Sequence, residues 1–341
     1  SFGNLAAAGC CGISEAGAGR MRLGADYLND NTCTFTVWAP DAKKMDVKIK
    51  APMERIIPMA RLEHGYYQTT AERIEPATEY VYRIDGSKER PDPASHYQPF
   101  GVHGASAVID HNSFGWSDGD FEGIAPEDMI VYELHVGTFT QRGDFDGVAE
   151  KLDYLAELGV NTVEIMPVAQ FPGRRNWGYD GVYPFAVQNS YGGPHKFKEL
   201  VNICHQRGFA VKLDVVYNHL GPEGNYLWDY GPYFTDKYKT PWGEAINFDS
   251  GYSDQVRHYF ISNALHWFEH YHIDALRLDA LHAIYDMSAK RFLRELAEET
   301  EKFSSRIGRK FYLIGESDLN DVKLIEPWDV GGDGLDGQWC D

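Results

Sequence analysis

Positive charge is scarce in this sequence: 32 lysines and arginines stand against 51 aspartates and glutamates, a formal charge of −19. There is little from which to build a basic patch that displaces counterions. That argues against nucleic acid or an anionic membrane as partner and suits a neutral substrate. Long apolar runs are missing too, since nothing approaches the roughly 18 residues that suggest a membrane span. Cysteine is sparse and odd in number. Cys10, Cys11, Cys33, Cys204 and Cys340 show no metal-type spacing, so a reduced compartment, the cytoplasm, is expected. Glycine-rich GAGAGR and GGDGLDG follow no strand and carry no P-loop lysine, which speaks against a phosphate cradle. No internal repeat is visible. The opening SFGNLAAAGCCGISEAGAG lacks a basic start and a long apolar core. It reads as a disordered leader or expression remnant over 1–19, although LAAAGC faintly resembles a lipoprotein cleavage site.

What is present is core-forming material: 43% hydrophobic residues, 14% aromatic, in a chain of 341. Over 20–110 the signals are β. CTFTVWAP and MDVKIK alternate apolar and polar residues, GYYQTTAERI and EYVYRID follow, and Pro, Gly and Asp punctuate between them. Short strands at this spacing predict an immunoglobulin-like β-sandwich. HNSFGWSDGDFEGIAPED, over 111–128, reads as a linker.

From 129 to 341 the rhythm becomes strand then helix. MIVYELHV precedes the helical DFDGVAEKLDYLAELG, and VNTVEIMPV is a strand again. HKFKELVNICHQRG leads into FAVKLDVVYNH, SDQVRHYFISNALHWFEHYH into IDALRLDA, and MSAKRFLRELAEETEKFSSRIG into KFYLIGES. Parallel βα units with near-continuous apolar strands predict an α/β protein whose second part is a TIM-type (β/α)8 barrel. Five strands stand out, with a sixth starting near Leu335, so the barrel is C-terminally incomplete at about six of eight strands. A fragment, or completion by further sequence, is the expectation.

Charged residues then collect at three strand ends. KLDVVYNH supplies Asp214, Asn218 and His219; ALRLDALH supplies Arg277, Asp279 and His282; LIGES supplies Glu316. In a barrel such residues project into the catalytic mouth. Arg277 and Asp279 alternate with Leu276 and Leu278 and so face one side, where the guanidinium can pair with a carboxylate. Two carboxylates from neighbouring strand ends suit glycoside cleavage, one attacking the anomeric carbon while the other protonates the departing oxygen. A purely structural ion pair is the competing reading. His205, His258, His266, His270 and His272 lie on helical stretches away from these ends. No metal and no cofactor is expected.

The three segments resemble the first three conserved regions of the α-amylase superfamily of glycoside hydrolases. VWAP resembles the sandwich that precedes the barrel in its branching, debranching and trehalose-releasing members. NWGYDGVYPFAVQNSYGGP, NHLGPEGNYL, TPWG, DALRLDALHAI and GESDLND together look like the trehalose-releasing group. That resemblance implies retaining hydrolysis of the α-1,4 bond joining a malto-oligosaccharide to a terminal trehalose. It implies Asp279 as nucleophile, Glu316 as general acid/base and Arg277 as the residue orienting the nucleophile. Tyr179, Asp214, His219, His282 and Trp177 would bind the sugar, with Trp228 and Trp242 as further platforms. The family's later His-Asp region has no counterpart here, so weak activity or none is expected of this chain alone. A glucan branching transferase and a non-catalytic glucan-binding remnant are the alternatives. Ser317 after Glu316 argues against the first, where a second acid is usual.

Overall fold

A computed structural model describes residues 21–340; the leader assigned to 1–19, with Cys10 and Cys11, lies outside the described residues. The first part packs two antiparallel sheets face to face. One pairs Gly24–Asn29, Thr32–Trp38, Tyr66–Glu72 and Ala60–Arg61 in that order. The other runs Arg55–Pro58, Met45–Ala51, Glu79–Ile84 and Lys88–Arg90, with Ser106–Ala107 also on Glu79–Ile84. Alternation decides the faces: Met45, Val47 and Ile49 are buried while Lys50 is exposed. Phe35, Tyr80 and Tyr82 fill the space between, each worth about 2 kcal/mol in burial.

The second part is a six-stranded, all-parallel sheet whose strands neighbour one another in chain order. They are β1 (Val131–Leu134), β2 (Thr162–Ile165), β3 (Ala210–Val215), β4 (Ala275–Leu278), β5 (Tyr312–Glu316) and β6 (Gly337–Trp339). Six sequential parallel strands are the architecture of an incomplete TIM barrel. Crossovers are made by α1 (Leu152–Glu157), α2 (Gly193–Gln206), α3 (Ser253–Tyr271) and α4 (Phe292–Ile307). β6 begins two residues beyond Leu335, near the expected place.

Two expectations change. DFDGVAEKLDYLAELG is two short helices, Phe145–Ala149 and α1, because the Lys151 amide bonds back to Val148 and tightens the chain into a turn. The stretch read as a linker is packed down: Trp116 stacks on His272 at 3.7 Å, and Asp118 accepts from His205 and His272 at 2.8 Å each. Sandwich and barrel share one core. Buried Trp38 meets Tyr233 edge-on at 5.0 Å, and Tyr259 donates to the Pro93 carbonyl at 2.6 Å. Among the described residues no helix is long and apolar enough to cross a membrane.

Candidate active site

Register builds the site. Asp214 on β3 sits opposite Arg277 on β4, and Leu278 opposite Gly315 on β5. One step further along, Asp279 and Glu316 leave neighbouring strands together. The same inward face carries Glu164 and Lys212 below them, paired in register on β2 and β3.

Arg277, 7% exposed, is the hub. Its Nη1 donates to Asp214 Oδ2 at 2.8 Å and to Asp279 Oδ1 at 3.0 Å, while Nη2 lies 3.7 Å from Glu316 Oε2. A rigid fork can hold several carboxylates in this way where a lysine cannot. Asn218 pins Asp279 from the other side, donating from Nδ2 to its Oδ2 at 2.9 Å and to its carbonyl at 2.8 Å. After Asp279 the chain reverses through Ala280, a non-glycine residue at φ +43°, which aims its amide at Glu316 Oε2. Strain of this kind concentrates at functional sites. Gly315 makes room, since a Cβ there would meet Leu281 Cδ1 at 2.4 Å.

Tyr179 arrives on a loop whose turn requires Gly178: φ is +105°, and a Cβ would lie 2.1 Å from the Pro167 carbonyl oxygen. Its hydroxyl donates to Asp214 Oδ2 at 2.8 Å. His219 is spent on both sides, against Asn218 Oδ1 at 2.6 Å and the Tyr179 carbonyl at 2.8 Å, so it locks the loop to the strand end. Trp242 stacks on His219 at 5.2 Å and stays half exposed.

Burial dominates the electrostatics. It pushes Asp214 well above the ordinary carboxyl value, opposed by Arg277. Burial also works against charge on Arg277, but Asp214 and the other acids outweigh it and raise that pKa. Burial raises the Tyr179 phenol, helped by Asp214, and lowers His219. The carboxylates face a fixed guanidinium, so the cation of this cluster is Arg277 itself.

Of the residues singled out from sequence, Tyr179, Asp214, His219, Arg277, Asp279 and Glu316 form one connected group. Trp177 is 71% exposed, two residues before Tyr179, and makes no hydrogen bond to the group. His282 stands outside it on the turn after β4, 4.0 Å from Asp318, at the mouth of a cleft of about 160 Å³ shared with Ser317. Trp228 packs on Phe234 at 4.7 Å, away from the carboxylates. Sequence reasoning missed the ion pair of Glu164 and Lys212 at 2.5 Å, and Trp339 beneath Lys212 at 4.3 Å. The signal existed: Lys212 precedes Asp214 by two, the same alternation that paired Arg277 with Asp279.

Residues 109–240 match the family model "Alpha amylase, catalytic domain", and 22–98 match "Carbohydrate-binding module 48 (Isoamylase N-terminal domain)". The chain thus carries a segment similar to the alpha-amylase catalytic domain. Over most of its length it is also similar to malto-oligosyltrehalose trehalohydrolases. It is 49% identical to that of Saccharolobus solfataricus, over 92% of this chain and 54% of the relative. It is 43% identical to that of Arthrobacter ramosus, over 90% and 54%. A crystal structure of a protein described as an alpha amylase from Salmonella typhimurium superposes with a TM-score of 0.85 at 38% identity, covering 93% of this chain and 53% of that one. The chain thus spans about half the length of the curated relatives it matches.

Proposed function

We propose that these residues form the catalytic mouth of a retaining glycoside hydrolase that cleaves the α-1,4-glucosidic bond next to the terminal trehalose of maltooligosyltrehalose. The observation supporting this reading is the shared guanidinium, which lies 3.0 Å from Asp279 Oδ1 and 3.7 Å from Glu316 Oε2. Asp279 attacks the anomeric carbon while Glu316 gives its proton to the departing trehalose oxygen. A glycosyl ester on Asp279 results. Glu316, now a carboxylate, takes a proton from water, and that water releases the malto-oligosaccharide with net retention.

Arg277 and Asn218 fix the nucleophile from opposite sides. Tyr179, held by Asp214, offers its ring beneath the sugar, and His219 fixes the loop that carries it. His282 and Trp177 serve outer sugar positions. The sandwich at 20–110 would assist glucan binding, the stretch at 111–128 would tie it down, and 129–341 would carry the chemistry. A cytoplasmic setting goes with this reading, since Cys33 and Cys204 are buried free thiols. Ser317 directly after Glu316, and the identities above, favour hydrolysis over branching.

The test is product analysis of the purified chain on maltooligosyltrehalose and on amylose, with Glu316→Gln as blank. Free trehalose above the blank supports the proposal. New α-1,6 branches on amylose favour a branching transferase, and glucan binding without either product favours a binding remnant.

A further inference from the structure

A second cluster of chemistry-bearing side chains lies away from the carboxylates, where the chain leaving the sandwich crosses α3. His96 and His111 come from that crossing segment; His266 and His270 stand one turn apart on α3. One ring nitrogen from each of His96, His111 and His266 lies within 4.8 Å of the other two. His96 Nδ1 and His111 Nε2 are already 3.2 Å apart, close to the roughly 3.3 Å edge of a tetrahedral zinc site with bonds near 2.0–2.1 Å.

His266 is oriented from behind by a backbone carbonyl, its Nε2 donating to Phe185 at 3.1 Å. A carbonyl only accepts, so this ring keeps a lone pair on its other nitrogen, the arrangement that outer partners impose on metal-binding histidines. His111 turns Nε2 to His96, while its Nδ1 is sealed from solvent and has no hydrogen-bond partner, so Nε2 is the atom this ring offers to the cluster. His270 stacks on His111 at 4.1 Å and walls the cluster. Nearby Lys198 turns its ammonium to the His111 carbonyl oxygen at 3.1 Å, not to a ring.

We propose that His96, His111 and His266 form a structural site for a divalent transition-metal ion of the zinc class, fastening the segment that leaves the sandwich to helix α3. Three imidazoles suit zinc, cobalt, nickel or copper and leave one position for a fourth ligand. The site is distinct from the carboxylate cluster and does not depend on the catalytic reading.

The test uses the chelator-treated chain titrated with zinc chloride by calorimetry and with cobalt chloride by absorption. One zinc per chain with a Kd in the micromolar range or below, a raised melting temperature, and tetrahedral cobalt bands are expected. His96→Gln and His111→Gln should each weaken zinc at least tenfold, while His195→Gln, at an exposed histidine of α2, should not. Should the variants fail to fold, X-ray absorption of the zinc-loaded unaltered chain decides: a shell of three imidazoles supports the site. No saturable binding, an oxygen-only shell, or unchanged affinity in His96→Gln overturns it.

Discussion

Replacing Arg277 by methionine keeps much of the volume and removes the charge. The side chain is almost fully buried and donates to Asp214 and Asp279 at 2.8 and 3.0 Å, with Glu316 at 3.7 Å. Its loss leaves three acids side by side, and Asp214 keeps only the Tyr179 hydroxyl on Oδ2, its Oδ1 already having no partner. Removing one member of a buried ion pair costs roughly 3–5 kcal/mol, because the orphaned charge stays behind. Arg277→Met should therefore lose about that much at pH 7 in urea denaturation. Part should return as the pH falls and Asp214, whose carboxyl burial already pushes up, takes a proton. Arg277→Lys should recover some stability but little activity, since one ammonium reaches one carboxylate while the fork spans them. Arg277→Met with unchanged stability at pH 7 would refute the idea that this guanidinium holds the cluster together.

Three further outcomes follow from the same geometry. Glu316→Gln should remain folded and lose about 10²–10⁴ in hydrolysis, yet keep its first step on a glycosyl fluoride, whose leaving group needs no proton; equal loss on both substrates contradicts the acid role. Asn218→Ala removes the donor that reaches Asp279 at two oxygens, and kcat should fall about 10–100-fold with KM little changed, a pure KM effect being the contrary result. Burial raises Asp92, beneath Tyr80 in the sandwich, to about 6. Its folded form therefore holds a proton that an unfolded aspartate, near 3.9, has released, so this contribution is full below about pH 4 and is lost as pH climbs through 6. Relative to Asp92→Asn, the unaltered protein should lose about 3 kcal/mol between pH 4 and 7 in denaturant titrations, and a pH-independent difference would contradict that.

Much of this was legible because parallel strands obey a period of two. That rule sets Arg277 with Asp279 and Lys212 with Asp214 on one face of their strands, and register across the sheet then brings in Glu164 and Glu316. A strand as short as Ala60–Arg61, two residues at a sheet edge, left too few residues for alternation to show. Asn218 stood beside His219 in the same motif, but its grip on Asp279 depends on the reversal at Ala280, which is a matter of backbone conformation. The contacts of Trp116 and Asp118 with His272, and the meeting of His96, His111 and His266, join distant parts of the chain. No local pattern encodes such neighbours; only packing of the sandwich segment against α3 creates them.

The central claim is that Asp279 becomes covalently attached to sugar while Glu316 manages the proton. Incubation with a 5-fluoro glucosyl fluoride, which forms the ester quickly and releases it slowly, followed by proteolysis and mass spectrometry, reads this directly. The account predicts a single glucosyl adduct on Asp279, absent from Asp279→Asn; an adduct on Glu316 or another carboxylate, or no adduct at all, would contradict it.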